Sequence, residues 1–144
     1  YSLARTLSFN NLYVRRFQAA DMLGAGVRWD YVNLLGKYSS LRKGAVEFSI
    51  DRLTVINGFA NWWRAELVPD IWLSTSPHDA PTHWEQIYFP IAEPISARAG
   101  DVVAMAVTSD SRDGNGCTLR WTVTHRRGDK ILSTQKCDIG KGEG

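Results

Sequence analysis

From Val46 onward the chain is written in short alternating runs, and this pattern narrows the possible folds more than any other feature. Val46, Phe48 and Ile50 alternate with Glu47, Ser49 and Asp51. A period of two puts one set on each face of a strand. Trp63, Ala65 and Leu67 alternate with Trp62, Arg64 and Glu66; Pro69-Asp70 interrupts, and Ile71-Trp72-Leu73 resumes. A further run covers residues 84–89, opening on Trp84. Residues 102–108 are apolar and read as a strand buried on both faces. Residues 117–125 and 130–136 flank Arg126-Arg127-Gly128-Asp129. A Gly-Asp turn between two β-rich runs predicts a hairpin, with Cys117 close to opposite Cys137. Short strands divided by turn signals indicate an antiparallel β-barrel or sandwich.

Other breaks arise from residue chemistry. Asn57-Gly58 punctuates the strands, residues 98–101 form a turn, and residues 109–116 form a polar loop. Pro90 and Pro94 bound an irregular segment, because neither can donate to a ladder. The first third differs. Residues 6–14 read as one strand. Residues 17–35 carry Ala, Met, Leu and Trp at helical spacing, weakened by Gly24, Gly26 and Gly36, and predict one or two short helices. Residues 39–44 read as a polar linker. The expected fold is mainly β, an antiparallel barrel or sandwich-like domain with a short helical segment near the N-terminus. The expected divisions are 1–43, an N-terminal strand and helical, arm-like segment; 44–139, the β-barrel; and 140–144, a flexible tail.

A chain of 144 residues fits one domain with its own core. The net charge of +2 argues against nucleic acid as a partner. No apolar run approaches the roughly 18 residues of a membrane span, and residues 1–16 lack the apolar stretch of a signal peptide. The chain begins with Tyr1 and ends in Gly140-Lys141-Gly142-Glu143-Gly144, which reads as the edge of an excised domain. Cys117 and Cys137 lack metal-site spacing; two reduced thiols in a cytoplasmic protein is the expectation.

Several constellations invite chemistry. Leu23-Gly24-Ala25-Gly26 resembles a cofactor loop in composition, but no buried strand precedes it. Arg126, Arg127 and Lys130 make a basic hairpin tip, which a solvated turn also explains. His78, Asp79 and His83 suggest a metal site, but the spacing is loose and a third firm ligand is missing. Cys117 and His125 lie too far apart on one strand to form a nucleophilic pair. Thr82-His83-Trp84 remains. A histidine can donate, accept or take a charge near neutral pH, and a tryptophan face attracts cations. From the residues alone, this corner is either a recognition element or a packed strand start.

Residues 46–136 resemble the C-terminal β-barrel domain of the protein arginine methyltransferases. Phe59-Ala60-Asn61-Trp62-Trp63-Arg64-Ala65-Glu66-Leu67 resembles the strand that leads into that family's substrate loop. Ile71-Trp72-Leu73-Ser74-Thr75-Ser76-Pro77 is similar to its hydrophobic-S-T-x-P segment, and Thr82-His83-Trp84-Glu85-Gln86 to its THW loop and the glutamine after it. Ala99-Gly100-Asp101 resembles the turn after the next strand. The resemblance implies substrate-binding roles for Thr82, His83 and Trp84: Trp84 a wall beside the substrate guanidinium, His83 a partner for an acidic group of the cofactor domain, Thr82 the residue that shapes the loop. It implies S-adenosylmethionine as the cofactor of the complete enzyme, bound by a Rossmann-like domain upstream or in trans and not by this chain. An arginine-containing protein or small molecule is the implied substrate, and a homodimer stays open. The glycine-rich motif and the double-glutamate loop of that family are absent, so no catalytic residue is expected in this chain alone; the loose spacing noted above leaves no metal ligand expected either. Two other readings stand beside this one. The first is a stand-alone module that binds carbohydrate or peptide on surface tryptophans, of which the chain has six. The second is a non-catalytic oligomerisation barrel.

Overall fold

A computed structural model of the chain describes residues 2–112, 114 and 116–141. It is mainly β, with antiparallel sheets and one short N-terminal helix. Contacts divide it into two units. The first comprises the chain up to Asn11, Val27–Asn57, and the chain from Ile91 onward; the second comprises Leu12–Gly26 and Gly58–Pro90. Among the described residues no helix is long and apolar enough to cross a membrane.

The first unit is built on a four-stranded antiparallel sheet in the order β2-β7-β8-β9. These strands are β2 (Leu41–Ser49), β7 (Asp101–Asp110), β8 (Thr118–Arg127) and β9 (Lys130–Asp138). Val46 on β2, Val103, Met105 and Val107 on β7, Trp121 and Val123 on β8, and Cys137 on β9 point into the core. They share it with Ile56 of β3 (Thr54–Asn61) and with Ile91, Ile95 and Ala97 of β6 (Gln86–Ala97). The strand over 102–108 is therefore buried on one face, not two. Its outward set is Val102, Ala104, Ala106 and Thr108, and Ala106 is exposed. Small apolar side chains made the run look two-sided, yet a methyl group costs little to leave in water.

The hairpin between β8 and β9 turns at Gly128, in the left-handed region at φ 57°. Arg127 pairs with Lys130, and after a bulge near Arg126 the register sets Trp121 opposite Cys137. Cys117 lies before β8, exposed and beside Ser109, so the two cysteines are not opposite each other; neither forms a disulfide. Four residues of strand amount to roughly 13 Å, well beyond disulfide reach.

The N-terminal third departs from expectation. The first element is a helix, α1 (Ser2–Phe9), and the strand after it, β1, is only Tyr13–Arg15. At the break the side-chain amides of Asn10 and Asn11 donate to the Thr6 and Leu7 carbonyls of the last helical turn, and the Asn10 backbone amide donates to Thr6 as well. Residues 17–35 hold a single 3₁₀ turn, Ala19–Asp21, and no α-helix. Residues 41–44, expected as linker, are the start of β2. Gly44 there lets the chain at Trp29 approach, since any side chain would strike the Trp29 carbonyl. Asp30 and Arg42 pair beside that contact. At the other end Ile139–Lys141 form a 3₁₀ turn, and the rest of the expected tail, 142–144, lies outside the described residues.

In the second unit β6 opens between β1 and β3. Asn57-Gly58 is not a break but lies inside β3, where a side chain at Gly58 would collide with Tyr88 and the Phe89 carbonyl. β6 also runs through Pro90 and Pro94 instead of ending at them. The β1 ladder reaches only Tyr88, so along that edge no ladder bond remains for a proline to break. β4 (Arg64–Val68) and β5 (Ile71–Ser74) form a separate two-stranded hairpin, turning at Asp70 with φ 65°.

Candidate functional site

The segment Thr82-His83-Trp84 belongs to the second unit, in the irregular stretch that leads into β6. The strand begins at Gln86, two residues later than the alternation suggests. Trp84 is 48 % exposed. Its ring meets the Trp63 ring edge-on at 5.5 Å and 69°, and the His83 ring at 6.2 Å and 78°. Edge-to-face packing of aromatic rings is a favoured geometry that restrains them against each other. His83 is exposed. The Thr82 hydroxyl accepts from the Trp84 amide at 3.2 Å, a local turn that gives the loop its bend.

Polar contacts hold this loop from both ends. Both terminal nitrogens of Arg16 donate to the Thr82 carbonyl, at 3.2 Å each. Gln86 is buried, at 4 % exposure. Its Oε1 accepts from the Phe17 amide at 2.8 Å, and its Nε2 donates to the Thr75 carbonyl at 2.8 Å. Thr75, also buried, exchanges three hydrogen bonds with the Trp63 backbone through its own amide and hydroxyl. The contacts close a circuit: Trp84 on Trp63, Trp63 to Thr75, Thr75 to Gln86, Gln86 to Phe17, and Arg16 back to Thr82. Behind the loop lies a cleft of about 240 Å³, lined among others by Arg16, Phe17, Pro77, Asp79 and Thr82.

Arg16 carried no sequence signal, because its partner is 66 residues away. Gln86 did carry one. It falls on the inward phase of an alternating strand, where a polar residue must find partners.

The other candidates have different surroundings. Gly24 and Gly26 lie in an irregular stretch with neither a strand before nor a helix after, and Gly26 packs against the Trp62 ring. That segment does not fit an S-adenosylmethionine loop, which needs a strand–turn–helix. His78 approaches the Gly24 carbonyl at 3.3 Å and meets Trp62 edge-on. Among the described residues no three metal-ligating side chains converge. At the basic hairpin tip, in the first unit, Arg126 pairs with Glu47 at 2.7 Å and Arg127 with Asp101 at 2.7 Å. Asp101 also lies 2.8 Å from His125 Nε2, and both are buried. The hydrogen bonds from Arg127 outweigh burial and hold the Asp101 carboxyl well below the usual carboxylate range. The partners of this Asp-His-Arg cluster are one another and the turn at 98–101, the geometry of a structural lock.

Comparison with known proteins bears on the whole arrangement. A family model described as the arginine methyltransferase oligomerization subdomain matches residues 10–130. The chain is 30 % identical over 95 residues to protein arginine N-methyltransferase 2 of Homo sapiens, covering 59 % of this chain and 22 % of that one. It is 32 % identical over 82 residues to protein arginine N-methyltransferase 5 of Xenopus laevis, covering 55 % of this chain and 13 % of that protein. It is 26 % identical over 145 residues to protein arginine N-methyltransferase 6 of Xenopus tropicalis, covering 96 % and 43 % respectively. The chain thus spans less than half the length of each of these curated relatives. The crystal structure of Arabidopsis thaliana protein arginine methyltransferase 10 shares the fold, with a TM-score of 0.73 at 16 % identity, over 91 % of this chain and 43 % of that one.

Proposed function

Because the chain belongs to the family of the arginine methyltransferase oligomerization subdomain, we propose that it is the substrate-side part of an S-adenosylmethionine-dependent arginine methyltransferase. The methyl donor would be held by a Rossmann-like domain, upstream or in trans, where it supplies the methyl group. Thr82, His83 and Trp84 would form one wall of the arginine pocket. The observation that carries this reading is Trp84: a tryptophan half open to solvent, on a loop held from both ends. Such a face suits a flat cation, whose N–H groups are left for carboxylates of the other domain. The exposed His83 is available to an acidic group there. The work of this chain is positioning: it holds the guanidinium near the donor and keeps water from one side.

Trp84→Ala in the complete polypeptide tests the reading. A desolvated cation–aromatic contact is worth about 2 kcal/mol, so kcat/KM for an arginine peptide should fall about 30-fold. Methyl-donor affinity, measured by calorimetry, should not change. Undiminished turnover would reject the pocket-wall role.

A second reading concerns assembly and is supported by a different observation. In the first unit the stretch 27–38 presents Tyr31, Leu34, Leu35 and Tyr38 to solvent, with Leu35 at 99 % exposure. A run of exposed apolar side chains is the mark of a covered surface. The family description names oligomerisation. We read this stretch as the contact of a homo-oligomer. Replacing Leu34 and Leu35 by Asp should weaken self-association about tenfold or more in sedimentation, with no loss of folded structure. An unchanged sedimentation coefficient would remove this stretch from the interface.

A further inference from the structure

We infer that Arg16 is a positioning residue for the Thr82-His83-Trp84 loop, an inference that rests on the pocket-wall reading above. β1 is only three residues long. Arg15 pairs with Gln86, so Arg16 emerges where β6 gives way to the loop. Its guanidinium reaches the Thr82 carbonyl with both terminal nitrogens. Thr82 in turn accepts the Trp84 amide on its hydroxyl. The next residue, Phe17, donates to the Gln86 side chain. Adjacent residues therefore hold the two ends of the segment 82–86. Thr82 also borders the open cleft of about 240 Å³, so packing does not fix the loop from that side. The charged Arg16 donor does hold it. Arg16 is itself exposed and contributes little to any core.

The clamp differs from a packing role in what it predicts. In Arg16→Ala, exchange of the Trp84 amide hydrogen should quicken about fivefold, while amides of β7 and β8 keep their protection. In the complete polypeptide the KM for an arginine peptide should rise about fivefold, with kcat changed less and the melting temperature unaltered. Arg16→Lys keeps one charged donor but not the fork, and should recover part of both effects. Wild-type exchange and KM in Arg16→Ala overturn the inference. So does a joint loss of kcat, KM and melting temperature that lysine does not repair, because that is a structural role. A Trp84→Ala enzyme with full turnover overturns the pocket-wall reading and this one with it. A crippled Trp84→Ala beside an unaltered Arg16→Ala overturns this one alone.

Discussion

Asp101→Asn should lower the melting temperature by about 10 °C at neutral pH. Asp101 is 1 % exposed at the start of β7. Its carboxylate accepts from Arg127 Nε at 2.7 Å, Arg127 Nη2 at 2.9 Å and the Arg98 amide at 3.0 Å, and it meets His125 Nε2 at 2.8 Å. One charged group thus ties the turn at 98–101 to β8. An asparagine keeps the shape, but it loses the charge and turns one acceptor into a donor aimed at other donors. The pH dependence comes from the lowered carboxyl value, whose largest cause is the Arg127 hydrogen bond. The unfolded carboxyl titrates near about 3.9. A depressed folded value means that the stabilisation is complete above that range and is lost as pH falls toward the folded value. The gap between wild type and Asp101→Asn should therefore be widest above about pH 5 and close progressively in acid. Thermal melts from neutral pH down into acid measure it. A gap that is constant with pH would mean that the carboxylate's charge is not what the cluster uses.

The parts of this fold that could be read from sequence are those that local chemistry decides. The β8–β9 hairpin was visible because Gly128-Asp129 lies between two β-rich runs, and Gly128 does take the left-handed conformation. The β4–β5 pair was visible because Pro69-Asp70 interrupts an alternation, and Asp70 carries the positive φ. The parts that could not be read depend on distant partners. Pro90 and Pro94 look like strand ends until the shortness of β1 is known. Residues 17–35 have helical spacing but take up mostly irregular structure, with Asp30 drawn to Arg42 and Gly26 pressed on Trp62. The site divides the same way. Thr82, His83 and Trp84 were legible as a motif, whereas the contacts that hold them, Arg16 to Thr82 above all, join segments far apart in sequence.

Gln86 should show how much of the site depends on those contacts. Gln86→Leu keeps the volume and removes both hydrogen bonds, leaving the Phe17 amide and the Thr75 carbonyl without the partner each now has. A buried polar group that loses its partner costs about 1–3 kcal/mol, so the pair should cost about 2–6 kcal/mol. Gln86→Glu is the informative control. A glutamate still accepts from Phe17 but cannot donate to Thr75, and it buries a charge that the native site does not contain. Both variants should therefore fall below wild type in denaturant melts, and they should differ in where the structure loosens. Gln86→Leu should free residues 16–18 and the β5 end together, whereas Gln86→Glu should free Thr75 and its neighbour Trp63 first. Hydrogen exchange resolves the two patterns. Because Trp63 supports the Trp84 ring at 5.5 Å, both variants should also shift the tryptophan fluorescence of the loop. If Gln86→Leu melts like wild type and leaves that fluorescence unchanged, the loop is held by packing, and the polar circuit is not what keeps the aromatic wall in place.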